Sequence, residues 1–196
     1  YIRLSTLEYA PVAPPPALNI TQLEIFTGTL KTALPVVISK TVDAGGGTFL
    51  GGGGVTVLAT ATGNLYGYID GPLVNQGDLF IDVRQLNSTA TVTNAIGAML
   101  LIDNGGRIGH ATDPDNPTFT NHGTVLMSTN YNDFNCPVGN NATGIITVLS
   151  GNAYFNRGAT MDGTITAPAG TVVSFRGVTS LLASSTVNVS EADFRL

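Results

Sequence analysis

Carboxylate-bearing residues are the first candidates for catalysis in this sequence. Asp78 and Asp82 are four residues apart, so on a β-strand both side chains would face the same side, and Asp103 lies close to Arg107. Clustered carboxylates, usually with a basic neighbour, are what the cleavage of a polysaccharide requires. The same spacing is common on any solvated strand face, and no partner Lys or His follows. We therefore expect that the protein is not an enzyme.

The sequence evidence for a metal site is as weak as that for catalysis. Asp113-Pro114-Asp115-Asn116 resembles the opening of a calcium loop, but it lacks the glycine at position six and the closing Glu of the twelve-residue pattern. Plain turn chemistry explains these residues better. His110 and His122 are too isolated to suggest a zinc site. The sequence predicts neither a metal nor a cofactor.

Four Asn-X-Ser/Thr triplets are candidate glycosylation sites. Chance is the competing explanation, because a chain rich in Asn and Thr produces such triplets easily. Attached sugar would supply polar surface to a chain with only 11% charged residues, well below the roughly 25% of ordinary soluble domains. The triplets favour an extracellular or cell-surface location. Their acceptors are Asn19, Asn87, Asn141 and Asn188.

Cys136 is the one cysteine of the chain. An internal disulfide is therefore impossible, and stability must come from packing and backbone hydrogen bonds. Two expectations remain for this residue. It is either a free, buried thiol, which we favour, or a cross-link between subunits, which makes it a candidate for assembly.

The charge of the chain argues against a nucleic-acid partner. Eight Lys and Arg residues stand against 13 Asp and Glu residues, which gives a net charge of -5 and a pI near 4.7. The longest apolar stretch, 95–102, is far shorter than the roughly 20 residues of a membrane span. The chain opens at Tyr1 without a basic flank and apolar run, so we expect a secretory signal to have been removed or never present.

The elements that must position these residues are predicted to be β-strands. From Asn19 onward no segment shows a 3.6-residue apolar stripe, and Gly or Asn interrupts almost every ten residues. Short runs rich in β-branched residues recur between residues 22 and 189. The fold class predicted is all-β.

An internal repeat narrows this class. Residues 144–160 align with residues 163–179 without a gap, at an offset of 19, with seven identities in 17 positions. The alignment predicts that Ile146 stacks on Ile165 and Tyr154 on Val173, all pointing inward. Asn-X-Gly motifs starting at Asn75, Asn121 and Asn156 mark corners, where the chain turns sharply.

A period near 20 residues is typical of one coil of a parallel β-helix, or β-solenoid, with matching positions stacked about 4.8 Å apart. About eight or nine such coils fit the chain length. The segments 119–127, 154–160 and 163–177 resemble the right-handed β-helix repeats of filamentous-haemagglutinin-like adhesins and autotransporter passenger domains. That resemblance implies an architecture. It implies no single activity, because adhesins, fibres, tailspikes and polysaccharide lyases share the fold.

Two segments depart from the repeat. Residues 129–141, which include two aromatic residues, are predicted to be an insertion between coils. Residues 1–18 form an extended Pro-rich arm ahead of a solenoid domain at 19–196. The tip of the arm, 1–9, has the character of a strand. Its candidate assembly residues are Tyr1, Ile2, Leu4, Leu7 and Tyr9.

These features suggest an extracellular structural protein that self-assembles into a filament or surface layer, its arm joining subunits by strand addition. The expected partner is another copy of the chain, and cell-surface glycans are a possible second partner. A non-catalytic adhesin or carbohydrate-binding module is the first alternative. A viral or phage fibre protein, with intertwined trimers, is the second.

Overall fold

The computed structural model of the chain describes residues 2–3, 6–9, 17–50, 53–82, 85–88, 91–110, 117–128 and 131–195. In those ranges it has 25 strands and no helix. The strands are β1 (Ile2–Arg3), β2 (Thr6–Tyr9), β3 (Leu18–Ile25), β4 (Thr29–Thr32), β5 (Val36–Leu50), β6 (Val55–Val57), β7 (Thr62–Ile69), β8 (Leu73–Asn75), β9 (Asp78–Asp82), β10 (Gln85–Ser88), β11 (Val92–Asn94), β12 (Met99–Asp103), β13 (Arg107–Ile108), β14 (Phe119–Asn121), β15 (Thr124–Ser128), β16 (Tyr131–Phe134), β17 (Val138–Asn140), β18 (Ile145–Val148), β19 (Asn152–Phe155), β20 (Ala159–Met161), β21 (Thr164–Ala167), β22 (Val172–Arg176), β23 (Thr179–Leu181), β24 (Thr186–Val189) and β25 (Ala192–Arg195).

Parallel pairing between successive coils builds a solenoid of about eight turns. The predicted all-β, parallel β-solenoid fold is confirmed. Three ladders run along its axis, which we call faces A, B and C. Face A includes β8, β11, β14, β17, β20 and β23, face B includes β9, β12, β15, β18, β21 and β24, and face C includes β10, β13, β16, β19, β22 and β25.

The predicted repeat register is right on face B and wrong on face C. Ile146 pairs with Ile165 as predicted, 19 residues on. On face C the partner of Phe155 is Phe175, so the offset there is 20 residues. One extra residue enters the turn before β22, and a slip of one residue exchanges the inner and outer sides of a strand. Tyr154 therefore points outward, and Ala153 pairs with Val173.

A column of phenylalanine rings forms the inner side of face C. Phe134, Phe155 and Phe175 are buried, with centroid spacings of 5.3 and 5.0 Å and interplanar angles of 13°. Phe119 packs against Phe134 at one end, and Phe194 continues the stack at the other. The spacings match the roughly 4.8 Å between paired strands, so each coil adds one ring. Aliphatic residues, with Met127, Met161 and Cys136, fill the rest of the described core.

A buried asparagine ladder lines the corner between faces A and B. Asn75 donates from its side-chain Nδ2 to Asn94 Oδ1 at 2.9 Å, Asn94 donates likewise to Asn121 at 2.9 Å, and Asn121 to Asn140 at 2.8 Å. Each amide also donates to a backbone carbonyl on the face-B strand of the next coil, which for Asn75 is the Met99 carbonyl on β12. The ladder thus satisfies buried polar groups at four successive corners.

The glycine of the Asn-X-Gly motif is required by this corner. A Cβ at Gly77 would lie 2.2 Å from the Ala61 carbonyl oxygen, and one at Gly123 would lie 2.3 Å from the Ala95 carbonyl oxygen. Both distances are below contact, so only glycine fits as the chain wraps the asparagine amide. Two of the three Asn-X-Gly motifs, at Asn75 and Asn121, lie on this ladder.

The predicted insertion at 129–141 is not one. Its described residues, 131–141, contain β16 and β17, which pair in register with both neighbouring coils. The extra length lies earlier in the chain: Asn94 and Asn121 are ladder neighbours 27 residues apart, whereas Asn121 and Asn140 are 19 apart. The added residues follow β13 in the sequence, where 111–116 are outside the described ranges. The calcium-loop candidate at Asp113 therefore falls outside the described residues.

The tip of the predicted arm pairs within its own chain. β1 pairs with β3 on face B and β2 pairs with β4 on face C, so the stack already has strands in the first nine residues. Ile2, Leu7 and Tyr9 lie in these two strands, while Tyr1, Leu4 and the prolines at 11–16 lie outside the described residues. One edge of the tip is used by this pairing. Strand addition to a neighbour would have to use the other edge.

Candidate functional site

The candidate carboxylates do not form the predicted pair with Arg107. Arg107 Nε lies 3.2 Å from Asp133 Oδ2 on the next coil, because β13 and β16 place these two residues in register. Asp103 Oδ1 accepts hydrogen bonds from Ser128 Oγ and the Asn104 amide. In the described ranges no three His, Cys, Asp or Glu side chains converge as metal ligands would. Those ranges also contain no helix with the length and apolar character needed to cross a bilayer.

The candidate acceptor asparagines have different surroundings. Asn19 and Asn188 are exposed on β3 and β24. Asn141 is half-buried, with its Nδ2 3.0 Å from the His122 ring Nε2, and the Thr143 hydroxyl donates to the His122 carbonyl. The side chain of Asn87 is outside the described part. A glycan on Asn141 would replace the contact with His122, whereas Asn19 and Asn188 are open to attachment.

Cys136 is a free cysteine in the core. Burial raises the pKa of its thiol to about 12, although a hydrogen bond with the Phe119 backbone acts in the opposite direction. Of the two sequence-based expectations, the free and buried thiol agrees with this position. A disulfide between subunits would need the sulfur at the surface.

We expect the Cys136 thiol to be unreactive toward a disulfide reagent in native protein and fully reactive in denaturant, because only the thiolate attacks. Between pH 9 and about 12 the native state keeps a proton that the unfolded state loses. The free energy of unfolding should therefore fall with rising pH in this window, by at most about 1.4 kcal/mol per pH unit from this group. Urea titrations at pH 8 to 10.5 measure the slope.

The Cys136→Ala variant is the control, because it should lose this part of the pH dependence. Equal slopes in the two proteins, or rapid labelling of the native thiol, would contradict the buried protonated state.

The last described coil exposes residues whose counterparts in the coil before it are buried. Leu181, Val187 and Phe194 occupy inward positions on faces A, B and C, in register with the buried Met161, Ile165 and Phe175. Phe194 is 55% exposed. One face of its ring stacks on Phe175, and no described residue stacks on the other face. The last described coil therefore has apolar side chains and strand edges that no other described residue covers, which we call the C-terminal end surface.

A groove lies on the outer side of face C. It has a volume of about 310 Å³ and is lined by Arg107, Tyr131, Asp133, Tyr154 and Arg176. The Tyr131 and Tyr154 rings stack at 5.7 Å and 20°, and the Arg176 guanidinium carbon lies 4.8 Å from the centroid of Tyr154. Parallel pairing brings these side chains together from four successive coils.

Sequence reasoning missed this groove for two reasons. It assigned Tyr131 to an insertion, and it placed Tyr154 inside the solenoid. A usable signal was present: Phe134-Asn135 and Phe155-Asn156 repeat, and aligning the two phenylalanines points Tyr154 outward.

The described strands and their stacking define a parallel β-solenoid protein. Comparison with protein-family models, curated proteins and solved structures finds no match to this chain.

Proposed function

We propose that this protein is an extracellular structural subunit whose solenoids associate end to end into a filament or layer. The observation that carries the proposal is the C-terminal end surface, where Leu181, Val187 and Phe194 present the core pattern to solvent. Exposed apolar residues beside unpaired strand edges favour association with a further strand layer.

A second copy of the chain is the occupant that we propose for this surface. Strands β1 and β2 lie on faces B and C, the same two faces that end in β24 and β25. The outer edge of β1 and β2 could thus continue the parallel ladders of another copy. Such a contact joins two different surfaces and stacks the copies along one axis, so it produces an open filament. The N-terminal tip then links subunits by strand addition, as the sequence suggested.

The extracellular location rests on the acceptor triplets and on the resemblance to filamentous-haemagglutinin-like and autotransporter repeats. Exposed Asn19 and Asn188 would accept glycans without loss of packing. The proposed role is non-catalytic, because Asp103 accepts hydrogen bonds from Ser128 and the Asn104 amide while Arg107 pairs with Asp133. The side faces of the rod stay free in an end-to-end assembly, which leaves them available for binding.

The end-to-end assembly is tested by the substitution Phe194→Asp and, separately, by deletion of residues 1–9. We expect the full chain to form concentration-dependent oligomers in light scattering and rods in electron micrographs. Either change should leave a monomer, because a charge in the apolar contact or a missing partner edge opposes stacking. Far-ultraviolet circular dichroism verifies that each variant remains folded.

Ile96→Asp is the matched control, since Ile96 is an exposed apolar residue on the side of the rod. It should assemble like the unmodified chain. A monomeric full chain would refute the proposal, and a closed trimer would favour a fibre protein of the viral type. Unchanged assembly after both end modifications would also exclude this contact.

A further inference from the structure

The stacked side chains on the outer side of face C end in an open position. Arg176, Tyr154 and Tyr131 form one column, and Tyr131 is 59% exposed at its last position. The neighbouring residue on the preceding coil is Gly105, which has no side chain. A Cβ placed there would meet only the Tyr131 carbonyl oxygen, at 3.6 Å. Among the described residues the Tyr131 ring stacks on Tyr154 alone, so its other face is available to a flat group.

The groove is positively charged in an otherwise acidic chain. It contains two arginines and one aspartate, while the chain has a net charge of -5. Arg107 is half-exposed and uses its Nε on Asp133. Arg176 donates from Nη1 to Asn156 Oδ1 at 3.3 Å, and its Nε has no hydrogen-bond partner among the described residues. The Nε of Arg176 is buried, whereas Arg107 is half-exposed and, because a guanidinium has five N–H donors, keeps donors beyond its Nε for an anion.

We propose that this groove binds an acidic oligosaccharide, with the C–H face of a pyranose ring on Tyr131 and a uronate carboxylate at Arg107. The negative face of an aromatic ring attracts the partly positive C–H groups of a sugar. A carboxylate matches the fork of donors on arginine. The groove volume lies at the lower end of the roughly 300–1,000 Å³ of small-ligand sites, which suits one or two sugar rings.

Asp133 limits the affinity of the groove for anions. Its carboxylate is the ion-pair partner of Arg107 and would face the carboxylate of the ligand. Replacing Asp133 with Asn keeps the shape of the side chain, removes the repulsion and frees the Arg107 donors. This variant is therefore expected to bind a uronate more tightly, which a purely structural role for the ion pair does not predict.

Isothermal titration calorimetry with tetragalacturonate, its methyl ester and a sulfated glucan of similar length tests the site. We expect tetragalacturonate to bind, the neutral ester to bind at least about tenfold more weakly, and the sulfated chain to bind more weakly than the uronate. Tyr131→Ala and Arg107→Gln should each weaken uronate binding about tenfold or more. Asp133→Asn should strengthen it severalfold.

Two control variants make comparable changes outside the groove. Ile145→Ala removes an exposed apolar side chain from face B, and Lys40→Gln removes a distant exposed charge. Both should bind tetragalacturonate like the unmodified chain. Repeating the titration with Phe194→Asp separates this site from end-to-end assembly, because the groove lies on the side of the rod.

The proposal is overturned if tetragalacturonate does not bind, or if Tyr131→Ala binds it as well as the unmodified chain. If the methyl ester binds as tightly as tetragalacturonate, Arg107 does not recognise the carboxylate, and the proposal is overturned. Binding of the sulfated chain alone would refute the uronate as the ligand.

Discussion

Phe155→Ala is expected to lower the free energy of unfolding by about 3–5 kcal/mol. Phe155 is fully buried and stacks between Phe134 and Phe175, at centroid distances of 5.3 and 5.0 Å. Truncation removes one ring from the middle of a continuous column and leaves a cavity that the flanking coils cannot fill, because their spacing is set by backbone hydrogen bonds. Urea denaturation followed by circular dichroism measures the change.

Phe194→Ala supplies the matched control at the end of the same column. In the unassembled chain Phe194 stacks on one ring only and is 55% exposed, so at concentrations too low for end-to-end assembly its loss should cost clearly less than that of Phe155. Similar losses for the two variants would show that the interior of the column gives no more stability than its open end. If a variant lowers the slope of the free energy of unfolding against urea concentration and leaves the midpoint unchanged, some coils unfold separately from the rest.

The architecture could be predicted because one coil contains all the local information that the fold needs. Glycines mark the corners, short β-branched runs make the faces, and the repeat at 144–179 supplies the period. Ile146 pairs with Ile165 as the alignment predicted. In a solenoid each coil contacts mainly its neighbours, so a local repeat is sufficient to define the global stack.

The register of face C could not be predicted from that alignment. An ungapped comparison assumes turns of equal length, but the coil with β22 has one residue more before the strand than the coil with β19. A single added residue moves Tyr154 from the predicted interior to the surface. The groove was missed for this reason, since its ring stack exists only in the true register.

The asparagine ladder could be predicted only in part. Asn75 and Asn121 are followed by X-Gly, which marks a corner. Asn94 and Asn140 have longer turns after them and no such motif. Their position follows from pairing with Asn75 and Asn121 across coils, which is a contact between distant residues that no local pattern shows.

Asn121→Ala should lower the free energy of unfolding by about 2–6 kcal/mol, because two buried groups lose a partner and each costs about 1–3 kcal/mol. Asn94 Nδ2 loses its acceptor on Asn121, and Asn140 Oδ1 loses the donor at 2.8 Å. Both neighbours are buried, so water does not replace the missing amide. Urea denaturation measures the loss.

Asn141→Ala is the control for Asn121. It too removes an asparagine amide that contacts the adjacent coil, but Asn141 and its partner His122 are half-buried and water can take its place. We expect a loss of about 0.5–1.5 kcal/mol. A loss for Asn121→Ala no larger than this would mean that the ladder contributes no more than a surface hydrogen bond.

A double-mutant cycle on Asn94 and Asn121 tests whether the ladder acts as a unit. In the single variants each partner is left with an unsatisfied buried group, whereas the double variant removes both sides of the 2.9 Å hydrogen bond. The double loss should therefore be smaller than the sum of the single losses, by roughly 0.5–3 kcal/mol. Additive losses would place the stabilising effect in the separate bonds to the Thr124 and Ile145 carbonyls. Coupling would mean that the four amides hold the corner in one register, which keeps the outer residues of neighbouring coils aligned.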